Sequence, residues 1–165
     1  MTLDSIMIRR AREADIPEIA VIERDSFADP WSAGSFVDSL KHTGMWFLVA
    51  ERPRDRSATE EHADHGLLGY VVALVMADEA EIANLAVVPT GRRCGIGGLL
   101  LDRIIDDTGR AGVRSLYLDV RESNSAARAL YESRSFLRVG CRREYYRNPV
   151  EDALLLKRDL GSHLI

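Results

Sequence analysis

Cysteine is scarce in this 165-residue chain: Cys94 and Cys141 are the only two, and they stand too far apart for a disulfide framework or a metal-binding knuckle. Both are expected as reduced thiols. Long hydrophobic runs are also missing. The longest nearly apolar stretch, Leu67 to Ala77, falls well short of the ~20 residues a helix needs to cross a bilayer, so no membrane partner is expected. The opening Met1-Thr2-Leu3-Asp4-Ser5 has neither the basic start nor the apolar stretch of an export signal, and the cytoplasm is the expected compartment. Nor is there an excess of positive charge. With 22 Lys and Arg against 26 Asp and Glu, the formal net charge is −4, which argues against a general affinity for nucleic acid and suits a cationic ligand.

What is present has the make-up of one globular domain spanning 1–165, with 46% hydrophobic and 29% charged residues. Ile6 to Arg9 reads as a short strand. Asp15-x-x-Glu18 with Pro17 predicts a helix start for Ile16, Ile19, Ala20 and Ile22. Trp31-Ser32 precedes a second helix carrying Phe36, Val37 and Leu40 on one face, ended at Gly44, and Met45 to Glu51 reads as a buried strand. The charged stretch Arg52 to His65 has no apolar period and predicts a mobile loop. Gly66 to Ala77 and Glu79 to Val88 read as an antiparallel hairpin across an acidic turn.

Beyond Pro89, the spacing of Ile96, Leu99, Leu100 and Ile104 predicts a helix with Gly109 and Gly112 at its exit, then a strand over Arg114 to Val120. Ser123 and Asn124 supply N-cap chemistry for a helix through Ala126, Ala127, Leu130 and Tyr131. Two last strands are expected around Phe136 to Tyr146 and Ala153 to Lys157. Hairpins mixed with crossovers imply an α+β domain built on a single mixed sheet.

The segment with the clearest chemical meaning is Arg92-Arg93-Cys94-Gly95-Ile96-Gly97-Gly98, which follows a strand and opens an amphipathic helix. Glycines let backbone approach an anion, and the free N–H groups at a helix start bind phosphate oxygens. A dinucleotide site would need Gly-x-Gly-x-x-Gly with an acidic residue further on, and a P-loop would need Gly-Lys-Ser/Thr; neither is present. A glycine-rich turn merely packed on the sheet is the alternative. His62 and His65 flank Asp64 without a third clear ligand, and no metal is expected.

From Glu81 to Phe136 the chain resembles the GNAT superfamily of acyl-CoA N-acyltransferases. Arg92 to Gly97 matches its Arg/Gln-x-x-Gly-x-Gly/Ala turn, and Asn84-Leu85-Ala86-Val87-x-Pro89 looks like the strand that precedes it. The resemblance implies a GNAT fold: a mostly antiparallel sheet with helices on both faces and splayed central strands that form the acetyl-CoA site. It implies coenzyme contacts at Leu85, Ala86 and Val87 and at Arg92, Arg93, Cys94, Gly95, Ile96, Gly97 and Gly98, with a backbone N–H near Val87 polarising the thioester carbonyl. Cys94 is expected to pack or touch the coenzyme incidentally, since transfer in such relatives is direct within a ternary complex.

Pro30-Trp31-Ser32, Leu118-Asp119-Val120-Arg121-x-Ser123-Asn124, Ala129-Leu130-Tyr131-Glu132-Ser133, and Tyr145-Tyr146 with Glu151-Asp152-Ala153 are similar to the RimI family. That family acetylates the N-terminal alanine of a small-subunit ribosomal protein. The resemblance implies Asp119 as base, Tyr131 as acid and Asn124 as a further coenzyme contact, with Trp31, Tyr145 and Tyr146 lining the acceptor groove. Asp119 stands where the family usually has glutamate, one methylene longer, so a water relay is expected. Glu81 is the alternative base. Ser135 replaces a glycine before Phe136, so a local change in that turn is expected. Gly98 replaces a larger or polar residue. The expected partner is a protein N-terminus, and the expected state is a monomer or weak homodimer. Acetylation of lysine or small amines, and a silent acyl-CoA-binding module, are the competing functions.

Overall fold

The computed structural model describes residues 5–52 and 66–161. The loop expected over Arg52 to His65 lies, apart from Arg52, outside the described residues, as do His62 and His65. Seven strands form one sheet in the order β1-β2-β3-β4-β5-β7-β6: β1 Met7–Arg10, β2 Met45–Glu51, β3 Leu67–Met76, β4 Glu79–Val87, β5 Ser115–Arg121, β6 Leu137–Arg147 and β7 Val150–Asp159. Every neighbouring pair is antiparallel except β4 with β5. Four helices, α1 Ile16–Ser26, α2 Ala33–Lys41, α3 Ile96–Arg110 and α4 Ser125–Glu132, complete the fold. Together these are the GNAT fold that the sequence led us to expect.

The alternation of β2 decides which helices lie on which face. Leu48 and Ala50 join the core built with Ile96, Leu100, Leu101 and Ile104 of α3, whereas Phe47 and Val49 join the one built with Ile16, Ile19 and Ile22 of α1 and Phe36 of α2. α3 owes its helicity to this packing. It contains Gly97 and Gly98 near its start, each costing about 1 kcal/mol relative to alanine. Against that cost stand Ile96, Leu100, Leu101 and Ile104, all fully buried, at ~1.5–3 kcal/mol apiece.

Local chemistry fixes the ends. Ser32 caps α2, its Oγ accepting from Ser35 N at 3.1 Å, and Asn124 caps α4, its Oδ1 accepting from Ala127 N at 3.1 Å. Asp15 behaves otherwise: its carboxylate turns back to Arg12 N and the Arg9 guanidinium instead of capping α1. Arg9 holds the Asp15 carboxyl below the usual carboxylate range. Three sequence expectations need correction. α3 runs through Gly109 to Arg110, and only Gly112, at φ +94°, has the left-handed backbone that suits glycine. β7 is longer than expected, running over Val150–Asp159, whereas β6 at Leu137–Arg147 holds Tyr145 and Tyr146 within it as expected. Ser135 keeps a left-handed φ of +62°, so the turn retains the shape glycine would give it. Among the described residues no helix is long and apolar enough to cross a membrane.

Candidate active site

β4 and β5 pair only at their beginnings, Glu79 with Ser115, Ala80 with Leu116 and Glu81 with Tyr117. Beyond these three pairs the strands part, β4 staying with β3 and β5 with β7. A β-bulge in β4, where Ile82 faces Ala73 and Asn84 faces Val72, leaves Ala83 as the extra residue just past the last shared pair. Val88 N–H donates to Leu68 O. By the alternation of an antiparallel strand, the N–H groups of Leu85 and Val87 therefore point away from β3, into the gap. Ala86 between them turns its methyl into the core under α1.

The gap runs into the start of α3. Arg93, at φ +61°, and Gly95, at φ +83°, wrap the chain around this point. The first helical hydrogen bond, Leu99 N to Gly95 O, leaves the N–H groups of Ile96, Gly97 and Gly98 without helical partners. Gly97 is a cradle: a Cβ there would lie 3.4 Å from Leu130 and 3.6 Å from Val87, narrowing the passage between β4 and α4. Arg92 is anchored, its Nε donating to Val87 O at 3.2 Å and Nη2 to Ser26 Oγ at 3.2 Å. Arg93 and Cys94 are exposed. Free amides, absent side chains and local cations suit a pyrophosphate, and the gap suits an extended amide-bearing arm.

α4 closes the other side of the gap. Tyr131 is buried against Phe136 with ring centroids 5.8 Å apart, lines the cavity, and makes no hydrogen bond through its hydroxyl among the described residues. Burial, then the neighbouring Tyr146, pushes its pKa up to about 12. It therefore holds its proton at any physiological pH.

A cavity of about 450 Å³ joins these parts. Glu81, Leu85, Asp119, Asn124 and Tyr131 line it from β4, β5 and α4, together with Trp31 from the segment before α2 and Tyr145 and Tyr146 from β6. Asp119 stands two residues beyond the last β4–β5 pair, inside the opening, whereas Glu81 sits at its closed end. Nε of Arg142 donates to Oδ1 of Asp119 at 3.1 Å, and this bond raises the Arg142 pKa. Tyr146, stacked under the Arg121 guanidinium at 4.2 Å, has its pKa raised to about 12 by burial and by the charge of Asp119. Arg121 is itself tied to Glu151 at 3.1 Å.

Glu23 organises the far wall. Only 1% exposed, its carboxylate accepts from Trp31 N at 2.8 Å, from Asn84 Nδ2 at 3.0 Å and from the Tyr70 hydroxyl. α1, the segment before α2, β3 and the bulged part of β4 meet at this one side chain. The Tyr70 pKa is raised by burial and by the Glu23 charge. Nothing in Ile22-Glu23-Arg24 separates a buried carboxylate from a solvated one, so this role of Glu23 shows only in the fold. Arg142 was not anticipated, being one of several arginines in a strand. Cys141 is exposed, its Sγ 3.8 Å from Asp152 Oδ2.

The profile of the acetyltransferase (GNAT) family matches residues 16–136. The chain is 33% identical over 144 residues to the ribosomal protein bS18 alanine N-acetyltransferase of Escherichia coli K12, covering 86% of this chain and 89% of that one. It is 34% identical over 166 residues to the N-alpha-acetyltransferase RimI of Mycobacterium tuberculosis H37Rv, covering 98% and 99%. The crystal structure of the Escherichia coli ribosomal-protein-S18-alanine N-acetyltransferase superposes with a TM-score of 0.80 at 30% identity, over 97% of this chain and 98% of that one. A family profile spanning most of the chain, two relatives covering 86% and 98% of it and a superposition at a TM-score of 0.80 lead to one conclusion: this chain belongs to the GNAT family of acetyltransferases.

Proposed function

We propose that this enzyme transfers the acetyl group of acetyl-CoA to the N-terminal α-amine of a protein, and that its acceptor is the N-terminal alanine of a small-subunit ribosomal protein. The observation that carries this reading is the placement of Asp119 and Tyr131 in one cavity at the parting of β4 and β5, walled by Trp31, Tyr145 and Tyr146. The names of the Escherichia coli and Mycobacterium tuberculosis relatives support the acceptor class. A ribosomal acceptor also supports the cytoplasm as the compartment.

Acetyl-CoA supplies an acetyl group already activated as a thioester. The amides of Ile96 to Gly98 with Arg92 and Arg93 hold the pyrophosphate, while Leu85 and Val87 face its pantetheine arm. The N–H of Val87 donates to the carbonyl oxygen where negative charge develops. Asp119, with Oδ1 held by Arg142, orders a water that takes a proton from the acceptor ammonium, and the free amine so formed adds to the thioester carbonyl carbon. An α-amine of pKa ~7.8 costs only ~1 kcal/mol to deprotonate at pH 7, against ~4.6 kcal/mol for a lysine at ~10.4, so a relay through water is adequate for an N-terminus. As the tetrahedral adduct collapses the C–S bond breaks, the nitrogen gives up its extra proton to water, and Tyr131 protonates the departing sulfur and is itself reprotonated from water. Both steps occur with donor and acceptor bound together, and Cys94, exposed on the phosphate turn, takes no covalent part.

Acetyl transfer to alanine-starting peptides, with free or blocked N-termini and with or without internal lysines, tests the proposal by mass spectrometry. Modification confined to free N-termini is the expected result. Labelling of lysine alone would replace it with a side-chain acetyltransferase, and coenzyme binding without transfer would replace it with a silent module.

A further inference from the structure

Gly98 and Arg134 occupy each other's space. A Cβ on Gly98 would collide with Nη2 of Arg134 and lie 3.2 Å from its Cζ, so the guanidinium lies directly over the first turn of α3. It is held there. Nε donates to Asp102 Oδ1 at 3.0 Å, Nη2 to Asp102 Oδ2 at 3.1 Å and Nη1 to Ser133 Oγ at 2.9 Å. A guanidinium has five N–H donors, so two remain, one on each terminal nitrogen. The group is partly open to solvent, with 27% of the side chain exposed.

For stability alone this arrangement is a poor choice. A cation at the start of a helix opposes the helix dipole, and a second glycine within the helix adds conformational cost. An alanine at 98 under an apolar residue at 134 would avoid both. The cost makes sense where an anion arrives. Along α4 and just past its end, Asn124, Ala127, Leu130 and Arg134 follow one another at helical spacing; the first three line the cavity, and Leu130 also faces Gly97. Arg134 stands one turn beyond Leu130, where that stripe reaches the free amides of Ile96 to Gly98.

We propose that Arg134 is a coenzyme-binding residue, held by Asp102 over Gly98 so that its two remaining donors take a phosphate at the nucleotide end of the coenzyme. The proposal rests on the acetyl-CoA reading above and adds to the phosphate turn a cation from a different element. Gly98 is then the residue that makes room for that cation, and Asp102 is a positioning residue.

Binding of acetyl-CoA and of its 3′-dephospho analogue is measured by calorimetry on the unaltered protein, Arg134→Leu, Arg134→Lys and Gly98→Ala, with thermal unfolding as a check of folding. Arg134→Leu is expected to weaken acetyl-CoA binding about tenfold, as loss of a charge-assisted contact does, and to flatten its dependence on ionic strength. Arg134→Lys should fall between the two, and Gly98→Ala, which displaces the guanidinium without removing it, should weaken binding too. A loss restricted to acetyl-CoA assigns the contact to the 3′-phosphate, whereas an equal loss for both ligands assigns it to the pyrophosphate. Unchanged affinity in folded Arg134→Leu, or in Arg134→Lys and Gly98→Ala should Arg134→Leu not fold, would overturn the proposal while leaving the acetyl-CoA reading intact. Absence of binding by the unaltered protein would overturn that reading and this inference with it.

Discussion

Arg142 on β6 reaches across β7 to bind Asp119 on β5, passing over Ala153 and Leu155, which face Arg142 and Asp119 respectively in the two registers. One carboxylate oxygen is thus held while the residue lines the cavity, which suits the ordering of a water. Asp119→Asn is expected to lower kcat by ~100-fold or more, in the range of a lost proton acceptor. Glu81→Gln, at the closed end of the opening, should change kcat by less than about threefold, too little for a general base. Steady-state kinetics with an alanine-starting peptide checks this, and the reverse ranking would transfer the role to Glu81.

Tyr131→Phe removes only the hydroxyl, leaving the ring packed on Phe136. Its kcat is expected to fall by roughly 100-fold, with acetyl-CoA affinity nearly unchanged. Turnover and calorimetric binding measured on the same preparation separate the two effects, and full turnover in the variant would sink the assignment of Tyr131 as acid.

The pH dependence follows from the two raised phenols. Tyr131 and Tyr146 both sit near 12, so the acid remains protonated throughout the working range. The rate should rise as the acceptor amine loses its proton around ~7.8, then stay level to about pH 11 without a descending limb. Folding stability carries the matching signature. A phenol whose pKa is raised in the folded state contributes stability that is complete below its unfolded value of ~10 and is lost as pH climbs through the folded value. Unfolding curves between pH 8 and pH 12, taken as a wide window around those values, should show no loss from these groups until the alkaline end.

Much of this architecture was legible in the sequence because period and punctuation agreed. Met45 to Glu51 is the strand expected, and Asn124 caps its helix as expected. Arg92 to Gly98 could be placed because glycine at a strand-to-helix junction has few other uses. What escaped was set by distant partners. The pairing of Arg142 with Asp119 spans 23 residues and that of Glu23 with Asn84 spans 61, and no local pattern announces either. The fit of Arg134 over Gly98 is of the same kind: the glycine stood out as a departure from the family, but its reason lies on another element.

Ser135 held its left-handed φ of +62° although a side chain there is strained. The neighbouring bonds explain why. Ser135 N donates to Glu132 O at 3.0 Å and Phe136 N to Tyr131 O at 3.1 Å, both of which require this backbone shape, and Phe136 is buried. Ser135→Gly should therefore stabilise the protein by about 1 kcal/mol, seen as a higher urea midpoint with an unchanged slope. A lower midpoint would show that the serine side chain contributes more than its strain costs.

The three residue pairs that join β4 to β5 also mark a boundary within the sheet. On one side, β1 to β4 with α1 and α2 form an antiparallel block, and on the other, β5, β7 and β6 form a second; their seam in the sheet is three rungs long, while one apolar core under α3 spans both. The phosphate turn follows β4 and belongs to the first block; the tyrosine pair and Asp119 belong to the second. On the proposed reading each ligand therefore draws on both blocks, the coenzyme on the turn after β4 and on α4, the acceptor on Trp31 and on Tyr145 and Tyr146, so a new acceptor preference would have to be grafted on both sides of the seam at once.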